Sequence, residues 1–292
     1  MTNSICQLLG IRYPILLGGI SGTPRLGVAV SNAGGLGCVA STTATPEVLR
    51  ARIREFKSLT DKPFSVNFPI VLSPEKHHRE KMELMVEEGV PVVITSAGNP
   101  RLWTTFLKER GVQVAHVLPT LYHARKAVEA GVDAIIAEPA ESGGYRGEHE
   151  VSMMVLIPAI RRAFPEMPLV AAGAVADGAG MAAVMALGAD GVQLGTRLIA
   201  TVEANAPEHV RKLILAATDT STMSAEGRVK PRVSRPEFAE QVLGERRQTQ
   251  MGQVSALIEG IKTVEQVFRD LIDGGFECAR STAQQMADLR QR

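Results

Sequence analysis

The sequence predicts a TIM (β/α)8 barrel, and three observations support this fold. Eight short runs of apolar and β-branched residues recur over about the first two thirds of the 292-residue chain. Most of them are separated by one stretch with helical spacing, and each is apolar enough to be buried on both faces. This alternation indicates a parallel sheet with right-handed crossovers, and eight such units can close into a barrel. A doubly wound open sheet is the alternative, because a sequence does not show closure.

The predicted elements follow one another in order along the chain. Strands are expected at 14–18, 36–40, 64–68, 91–95, 113–118, 134–138, 169–172 and 191–194. Helices are expected near 24–32, 46–59, 74–88, 100–110, 121–130, 152–164 and 177–187. Thr45 and Ser73, each followed by a proline, are expected to cap two of these helices. Four glycines occupy predicted helix ends, where the C′ position favours glycine: Gly89, Gly111, Gly131 and Gly188.

The pattern changes after the eighth strand. Residues 203–245 contain three prolines and a charged stretch, with no strand signal. They are predicted to form a small helical or irregular cap at the barrel mouth, with a surface linker as the alternative. Residues 246–290 have helical spacing throughout and are expected to supply the last barrel helix and a terminal helix. The barrel with its terminal helices would thus comprise residues 1–202 plus 246–292.

Composition limits the classes of partner. The formal net charge is +1 and aromatic residues make up 4% of the chain, which predicts neither a nucleic acid nor an anionic membrane as partner. No apolar run approaches the roughly 18–20 residues of a membrane span, and the start lacks the pattern of a signal peptide. The three cysteines are far apart, and no His, Cys and carboxylate cluster has metal-ligand spacing. We therefore expect a cytoplasmic protein, without a metal site, whose partner is a small molecule.

Glycine and small polar residues at the strand ends predict a ligand site. In a TIM barrel, ligands bind at the carboxyl ends of the strands, and phosphate commonly binds after strands seven and eight. Glycine there lets a ligand approach the backbone, and two turns that open helices side by side can cradle a phosphate. This pattern predicts a phosphate-bearing ligand but does not distinguish FMN from a sugar phosphate. The candidate binding residues are Gly18, Gly19, Asn67, Ser96, Gly98, Glu138, Gly143, Gly173, Ala174, Gln193, Leu194, Gly195 and Thr196.

Several of these segments also resemble a known family. The resemblance is carried by 13–15 with 18–19, 29–37 (AVSNAGGLG), 58–64 with Asn67, 137–147, 171–178 and 192–197 (VQLGTR). These segments resemble the nitronate monooxygenases (2-nitropropane dioxygenases) and equally the FMN-dependent enoyl-acyl carrier protein reductases of the same superfamily. The resemblance implies an FMN-bound TIM barrel with a small extra domain. It further implies that FMN is contacted by Asn67, Glu138, Gly143, Gly173 and the stretch 193–196.

The chain departs from the family pattern at four positions. The strand-six loop of the family usually reads Glu-Ala-Gly-Gly-His, whereas here Ser142 replaces the alanine and Tyr145 replaces the catalytic histidine. Ile20 stands where a methionine is usual, and Ala174 stands where the family has a second glycine. Ala174 restricts the backbone near the phosphate only if that position requires a positive φ.

Tyr145 is the principal candidate catalytic residue. A phenol with an unperturbed pKa of about 10 is a poor base at pH 7, so a reaction that begins by deprotonating carbon should be weakened. A phenol does suit the role of proton donor. His149, four residues further on, is the second candidate, and His116 is expected to be a hydrogen-bonded core residue. Tyr145 as a packing residue is the structural alternative.

Three functional hypotheses follow from these features. The first is an FMN-dependent reductase of an activated C=C bond, in an enoyl thioester or an enone, with NADH or NADPH as reductant and Tyr145 as proton donor. The second is a nitronate monooxygenase that oxidises alkyl nitronates with O2, since a nitronate is already an anion and needs no base. The third is a non-catalytic barrel that binds a phosphorylated metabolite. A homodimer through the C-terminal helices is a further expectation.

Overall fold

Eight parallel strands, surrounded by helices, form the centre of the computed structural model, which describes residues 3–20, 24–226 and 230–291. All eight strands overlap the predicted runs, and β5, β7 and β8 coincide with them. The strands are β1 (Ile15–Leu17), β2 (Gly37–Ala40), β3 (Phe64–Pro69), β4 (Val92–Ser96), β5 (Gln113–Leu118), β6 (Ala134–Ala137), β7 (Leu169–Ala172) and β8 (Gly191–Leu194).

The sheet closes into a barrel. Strands β2 to β8 pair in sequence order, and β8 pairs with β1, all in parallel. The ring is completed between β1 and the residue before β2, where the Leu17 N–H donates to Leu36 O (2.9 Å) and the Leu36 N–H donates to Ile15 O (3.0 Å). The prediction of a TIM barrel is confirmed, and the open-sheet alternative is wrong.

Helices alternate with the strands and continue after them. The α-helices are α1 (Ser4–Leu9), α2 (Arg25–Asn32), α3 (Pro46–Leu59), α4 (His78–Glu87), α5 (Thr104–Lys108), α6 (Leu121–Glu129), α7 (Met153–Ala163), α8 (Gly178–Ala186), α9 (Thr196–Ile199), α10 (Glu208–Ala216), α11 (Pro236–Leu243) and α12 (Val264–Arg290). Short 3-10 helices span Ile70–Leu72, Glu75–His77, Pro100–Leu102 and Gln253–Leu257.

Local capping explains where several helices begin and end. Thr45 caps α3 as predicted, because its hydroxyl accepts from the Val48 N–H and Pro46 takes the first helical position. The predicted Ser73 cap is wrong: a 3-10 turn precedes α4, and the Ser73 carbonyl instead bonds the His78 ring at 3.0 Å. The four C′ glycines are confirmed by their φ angles of +66°, +77°, +81° and +110°.

Apolar side chains form three clusters. One fills the barrel, where inward residues such as Ile94 and Ile136 meet Ile5 and Leu9 of α1. Because Asn3 bonds the carbonyl of Asp190, which precedes β8, α1 closes the amino-terminal end of the barrel. The second cluster lies between the strands and the surrounding helices. The remaining opening is therefore at the carboxyl ends of the strands, where the third cluster supports the segments after β8.

The structure corrects the prediction for the segments after β8. Within 203–245, where no strand was expected, β9 (Thr222–Ser224) and β10 (Arg232–Ser234) pair in an antiparallel hairpin beside α10 and α11. The two helices expected within 246–290 are one continuous helix, α12, which begins only at Val264, where Thr263 and Gln266 form a capping box. No helix in the described ranges is long and apolar enough to cross a membrane. The division of the chain into a barrel and a cap stays a prediction.

Candidate active site

The turns after β7 and β8 lie side by side at the barrel mouth. The Gly173 N–H donates to Gln193 O (3.2 Å), which joins the two turns. Gly173 and Ala174 both have a positive φ, +69° and +56°, so the alanine occupies a conformation that a glycine adopts without strain. Apart from its two chain neighbours, no atom of the described residues lies within 4 Å of where a Cβ on Gly195 would stand, so this glycine faces open space there. The predicted phosphate turns therefore border an open backbone cradle, and Leu194 lies buried behind it.

A segment that the sequence did not indicate closes one side of this cradle. The Gly252 N–H donates to the Thr196 hydroxyl (3.0 Å), and the Gln253 N–H donates to Glu141 O (3.0 Å). A Cβ on Gly143 would lie 2.5 Å from the Gly252 nitrogen, so both glycines are needed for this approach. The only sequence signal was Gly252 itself, a glycine inside an apparently helical pattern.

The ends of β1, β3 and β4 form another part of the mouth, in which β1 lies next to the cradle. The Gly18 N–H donates to Leu194 O (2.9 Å), which continues the β1–β8 pairing to the rim. Any Cβ on Gly19 would overlap the carboxamide of Asn67, whose Nδ2 donates to Ile94 O at 3.3 Å. Asn67 therefore presents its carboxamide oxygen beside the Gly19 backbone, at the mouth of the barrel.

The loop after β4 completes this side. Ser96 is the last residue of β4 and is half-buried. A Cβ on Gly98 would lie 2.7 Å from Ile70 Cβ, so the loop packs closely on the 3-10 helix after β3. Between them Ala97 has a φ of +49° and its carbonyl accepts from the Val71 N–H at 2.9 Å. The loop after β4 is thus held against the segment that follows β3.

Glu138 is the titratable group placed at the end of β6. The Ser142 hydroxyl donates to Glu138 Oε1 at 2.8 Å, an interaction that the usual alanine of the family cannot make. Burial raises the pKa of Glu138 to about 7, although the bond from Ser142 and the charge of Arg146 act in the opposite direction. The Ser142 side chain also lies where a Cβ on Gly173 would stand (2.7 Å between Cβ positions), so β6 and β7 meet here.

We expect Glu138→Gln to flatten the pH dependence of stability. The native state holds the Glu138 proton up to about pH 7, whereas an ordinary glutamate releases it near its usual pKa of 4.5. The free energy of unfolding therefore falls as pH rises through this window, by about 3 kcal/mol from this group. Urea denaturation of flavin-free protein at pH 5 and pH 8 measures the loss. Glu148→Gln, an exposed neighbour, is the control, and an equal loss in all three proteins contradicts the assignment.

Tyr145 lies on the strand-six loop, and its position is fixed by its neighbours. Gly144 pairs with Arg232 of β10 through both backbone hydrogen bonds (3.3 and 2.9 Å), and the Arg146 side chain bonds Ala140 O at 2.8 Å. The Tyr145 side chain itself is 45% exposed, which agrees poorly with a packing role. His149 is exposed beside Glu148, and none of its hydrogen bonds joins it to Tyr145.

His116 is confirmed as a core residue. It is buried in β5, and its Nδ1 lies 2.8 Å from the Thr95 hydroxyl. Burial lowers the pKa of His116 to about 4. Because the unfolded chain binds this proton near pH 6.5 and the native state does not, His116 adds stability above pH 6.5 that is lost as pH falls toward 4.

We expect His116→Gln to reduce this acid destabilisation, measured as the difference in unfolding free energy between pH 5 and pH 7. An unchanged difference would contradict it.

The residues at the mouth fit a phosphate-bearing planar cofactor such as a flavin mononucleotide. The cradle at Gly195 offers backbone approach to a phosphate, and the Asn67 carboxamide supplies polar contacts in the part of the mouth formed by β1, β3 and β4. Across the described ranges no group of three or more His, Cys, Asp or Glu side chains could hold a metal ion. The Arg197 side chain, in the turn after β8, is buried and bonds the carbonyls of Ala200 and Gly260.

Comparison with known proteins gives consistent matches. The family model described as nitronate monooxygenase matches residues 3–262. The nitronate monooxygenase of Pseudomonas aeruginosa is 32% identical over 276 residues, which cover 78% of this chain and 78% of that protein. FabK from Thermotoga maritima superimposes with a TM-score of 0.87 at 36% identity, covering 99% of both chains.

A CoA-ester enzyme is also among the relatives. The 5-hydroxy-7a-methyl-1-oxo-octahydro-1H-indene-4-carboxyl-CoA dehydrogenase of Rhodococcus jostii is 36% identical over 219 residues, which are 74% of this chain and 60% of that protein. The matched region therefore spans about 60% of the length of that dehydrogenase. All of these relatives are oxidoreductases.

Proposed function

Since the chain belongs to the nitronate monooxygenase family, we propose that it uses FMN to reduce an activated C=C bond at the expense of NADH or NADPH. The chain is an oxidoreductase, so the alternative of a non-catalytic barrel is wrong. The similarity to FabK, an enoyl-acyl carrier protein reductase, and to a CoA-ester dehydrogenase supports a conjugated thioester or enone as substrate. The reductant, the substrate and the site residues are part of the proposal.

The observation that carries the proposal is Tyr145 at the position of the family histidine. Its exposed phenol stands on a loop held on both sides by Gly144 and Arg146. At pH 7 a phenol with an ordinary pKa of about 10 keeps its proton, so it can donate but removes protons poorly. Protonation of the substrate α-carbon needs a donor of this kind, whereas oxidation of a neutral nitroalkane needs a base.

The cofactor contacts are assigned to the rim residues. We place the FMN phosphate at the backbone of Gly173, Ala174, Gly195 and Thr196. Asn67 and Gly19 would face the ring system, together with the loop of Ser96 and Gly98, while Gly18 would lie between them and the cradle. Glu138, Gly143, Gln193 and Leu194 complete the floor. FMN supplies the hydride chemistry when bound, and these residues orient it and exclude water.

A second candidate function is nitronate oxidation with O2, because the family model and the Pseudomonas relative carry that name. A nitronate is an anion and needs no base, so Tyr145 does not argue against it. Reoxidation of the reduced flavin separates the two candidates. We expect an anaerobically reduced sample to regain its yellow colour with crotonyl-CoA or cyclohexenone. Failure with every enone and enoyl thioester, combined with flavin reduction by alkyl nitronates, would overturn the reductase.

A further inference from the structure

Two arginines next to Tyr145 are almost completely buried. Arg146 is 4% exposed and Arg232 is 6% exposed. Both donate to the same acceptor, Ala140 O, from Arg146 Nη1 at 2.8 Å and from Arg232 Nε at 2.9 Å. Burial lowers the pKa of Arg232, and the charge of Arg146 lowers it further. Two like charges are thus held together in a desolvated place, which is costly unless an anion compensates them.

The carboxylate that the chain supplies to this pair is an exposed one. Glu150 Oε1 accepts from Arg146 Nη2 at 3.3 Å and from the Ser224 hydroxyl, and it lies 4.0 Å from Arg232 Nη2. The Glu150 side chain is 56% exposed, in a stretch without helix or strand. Glu141, the other acidic group near Arg232, already accepts from the Met153 N–H at the start of α7.

One donor of the pair has no acceptor. Arg146 Nε is buried and has no hydrogen-bond partner among the described residues. Besides the contact with Glu150, the pair bonds neutral groups: Arg146 Nη2 bonds the Ser224 hydroxyl at 2.5 Å, and Arg232 Nη1 bonds the Thr222 hydroxyl at 3.1 Å. An orphaned donor on a buried guanidinium costs more than one on a neutral group, because the charge is also undersolvated. An oxyanion on a ligand would supply an acceptor to this buried guanidinium.

The pair lies next to the proposed proton donor. Arg146 follows Tyr145 directly, and the backbone of Arg232 pairs with Gly144, the residue before Tyr145. The β9–β10 hairpin therefore brings a second guanidinium to the loop that carries the proposed proton donor. Paired guanidiniums match carboxylate and phosphate geometry, and burial strengthens such contacts.

We propose that Arg146 and Arg232 form an oxyanion-binding subsite for the substrate, and that Glu150 occupies it when no ligand is bound. The ligand group is an oxyanion, either a carboxylate or a phosphate, because both bind paired guanidiniums in the same way. It would replace the Glu150 carboxylate, which then moves into solvent. The substrate class of the proposed reductase is then an activated alkene that carries an anionic group. The turnover part of this inference rests on the proposed function. Binding of the oxyanion itself does not depend on it.

Glu150→Gln tests the subsite directly, because it removes the competing charge and keeps the side-chain shape. The probes are succinate and inorganic pyrophosphate, titrated into the FMN-loaded protein by calorimetry. We expect at least one of them to bind about tenfold more tightly to Glu150→Gln than to the wild type, with affinity falling as salt rises. The probe with the larger gain identifies the carboxylate or the phosphate as the source. Glu148→Gln makes the same charge change on an exposed neighbour and serves as the control.

Equal affinity in Glu150→Gln and Glu148→Gln, or no binding of either probe to any variant, would overturn the subsite. Arg232→Lys keeps the charge but loses the planar fork, and we expect it to weaken the bound probe by about tenfold. Undiminished binding to Arg232→Lys would also contradict the proposal.

Turnover is compared with monomethyl and dimethyl fumarate, which share one alkene and differ in charge. We expect the preference for the monoester to rise in Glu150→Gln. Reduction of neither ester leaves the proposed function to the test with enones and enoyl thioesters, and the binding result decides the subsite in either case.

Discussion

Replacing Gly195 with leucine is expected to give a folded protein that has lost its flavin. In the part of the chain that the structure describes, no atom beyond the two chain neighbours lies within 4 Å of where a Cβ would stand here, and the φ of −111° lies outside the left-handed region. The side chain would fill the open space to which we assign the FMN phosphate. We expect retention of FMN to weaken at least a hundredfold, measured as the dissociation constant from flavin absorbance after dialysis.

The structure also supplies a control for this substitution. Gly260 likewise has open space at its Cβ position and lies outside the proposed cradle, so Gly260→Leu should keep its flavin. Gly173 and Thr196 are less suitable for substitution. A side chain on Gly173 would collide with Ser142, and the Thr196 hydroxyl holds Gly252. Normal FMN affinity in Gly195→Leu would show that the phosphate binds elsewhere.

Replacing Tyr145 with phenylalanine is expected to slow turnover while leaving flavin reduction unchanged. The substitution keeps the ring and removes the proton that we assign to the substrate α-carbon. Loss of a general acid costs about 10²–10⁴-fold in rate, so we expect a fall in kcat of about a hundredfold. Stopped-flow measurement of the two half-reactions separates them: reduction by nicotinamide should keep its rate, and reoxidation by the alkene should slow.

Tyr122 provides the matched control, because it is another exposed tyrosine and lies on α6, outside the strand-six loop. Tyr122→Phe should leave both half-reactions unchanged. Tyr145→His should gain activity on neutral nitroalkanes, because an imidazole with a pKa of about 6.5 can remove a carbon-bound proton near neutral pH. Undiminished reoxidation in Tyr145→Phe would assign the donor to water or to His149.

The barrel could be predicted from sequence because its signals are local and repeated. Buried strands such as β7 read as continuous apolar runs, and glycines such as Gly131 mark the helix ends with a positive φ. The proposed position of the site rests on the same pattern, since parallel strands place their carboxyl ends on one rim. Closure depended on a contact between Leu36 and β1, which no local pattern encodes.

The remaining features depend on contacts between distant segments. Val254 and Ile258 have helical spacing, yet they pack into the third apolar cluster from a 3-10 segment, while Gly252 fits against Gly143 and Thr196. β9 and β10 are three residues each and carry charged or polar side chains, so their strand signal is weak. The Ser142–Glu138 bond and the Arg146–Arg232 pair become visible only when the loops are placed in space.

Anaerobic mixing of the yellow FMN-loaded protein with NADH or NADPH tests the central claim most directly. If the protein is a nicotinamide-driven reductase, the flavin absorbance should bleach rapidly with one or both nucleotides, and an enone or enoyl thioester should restore it. An oxidised flavin that neither nucleotide reduces, but that alkyl nitronates do reduce, would contradict the account and assign the chain to nitronate oxidation.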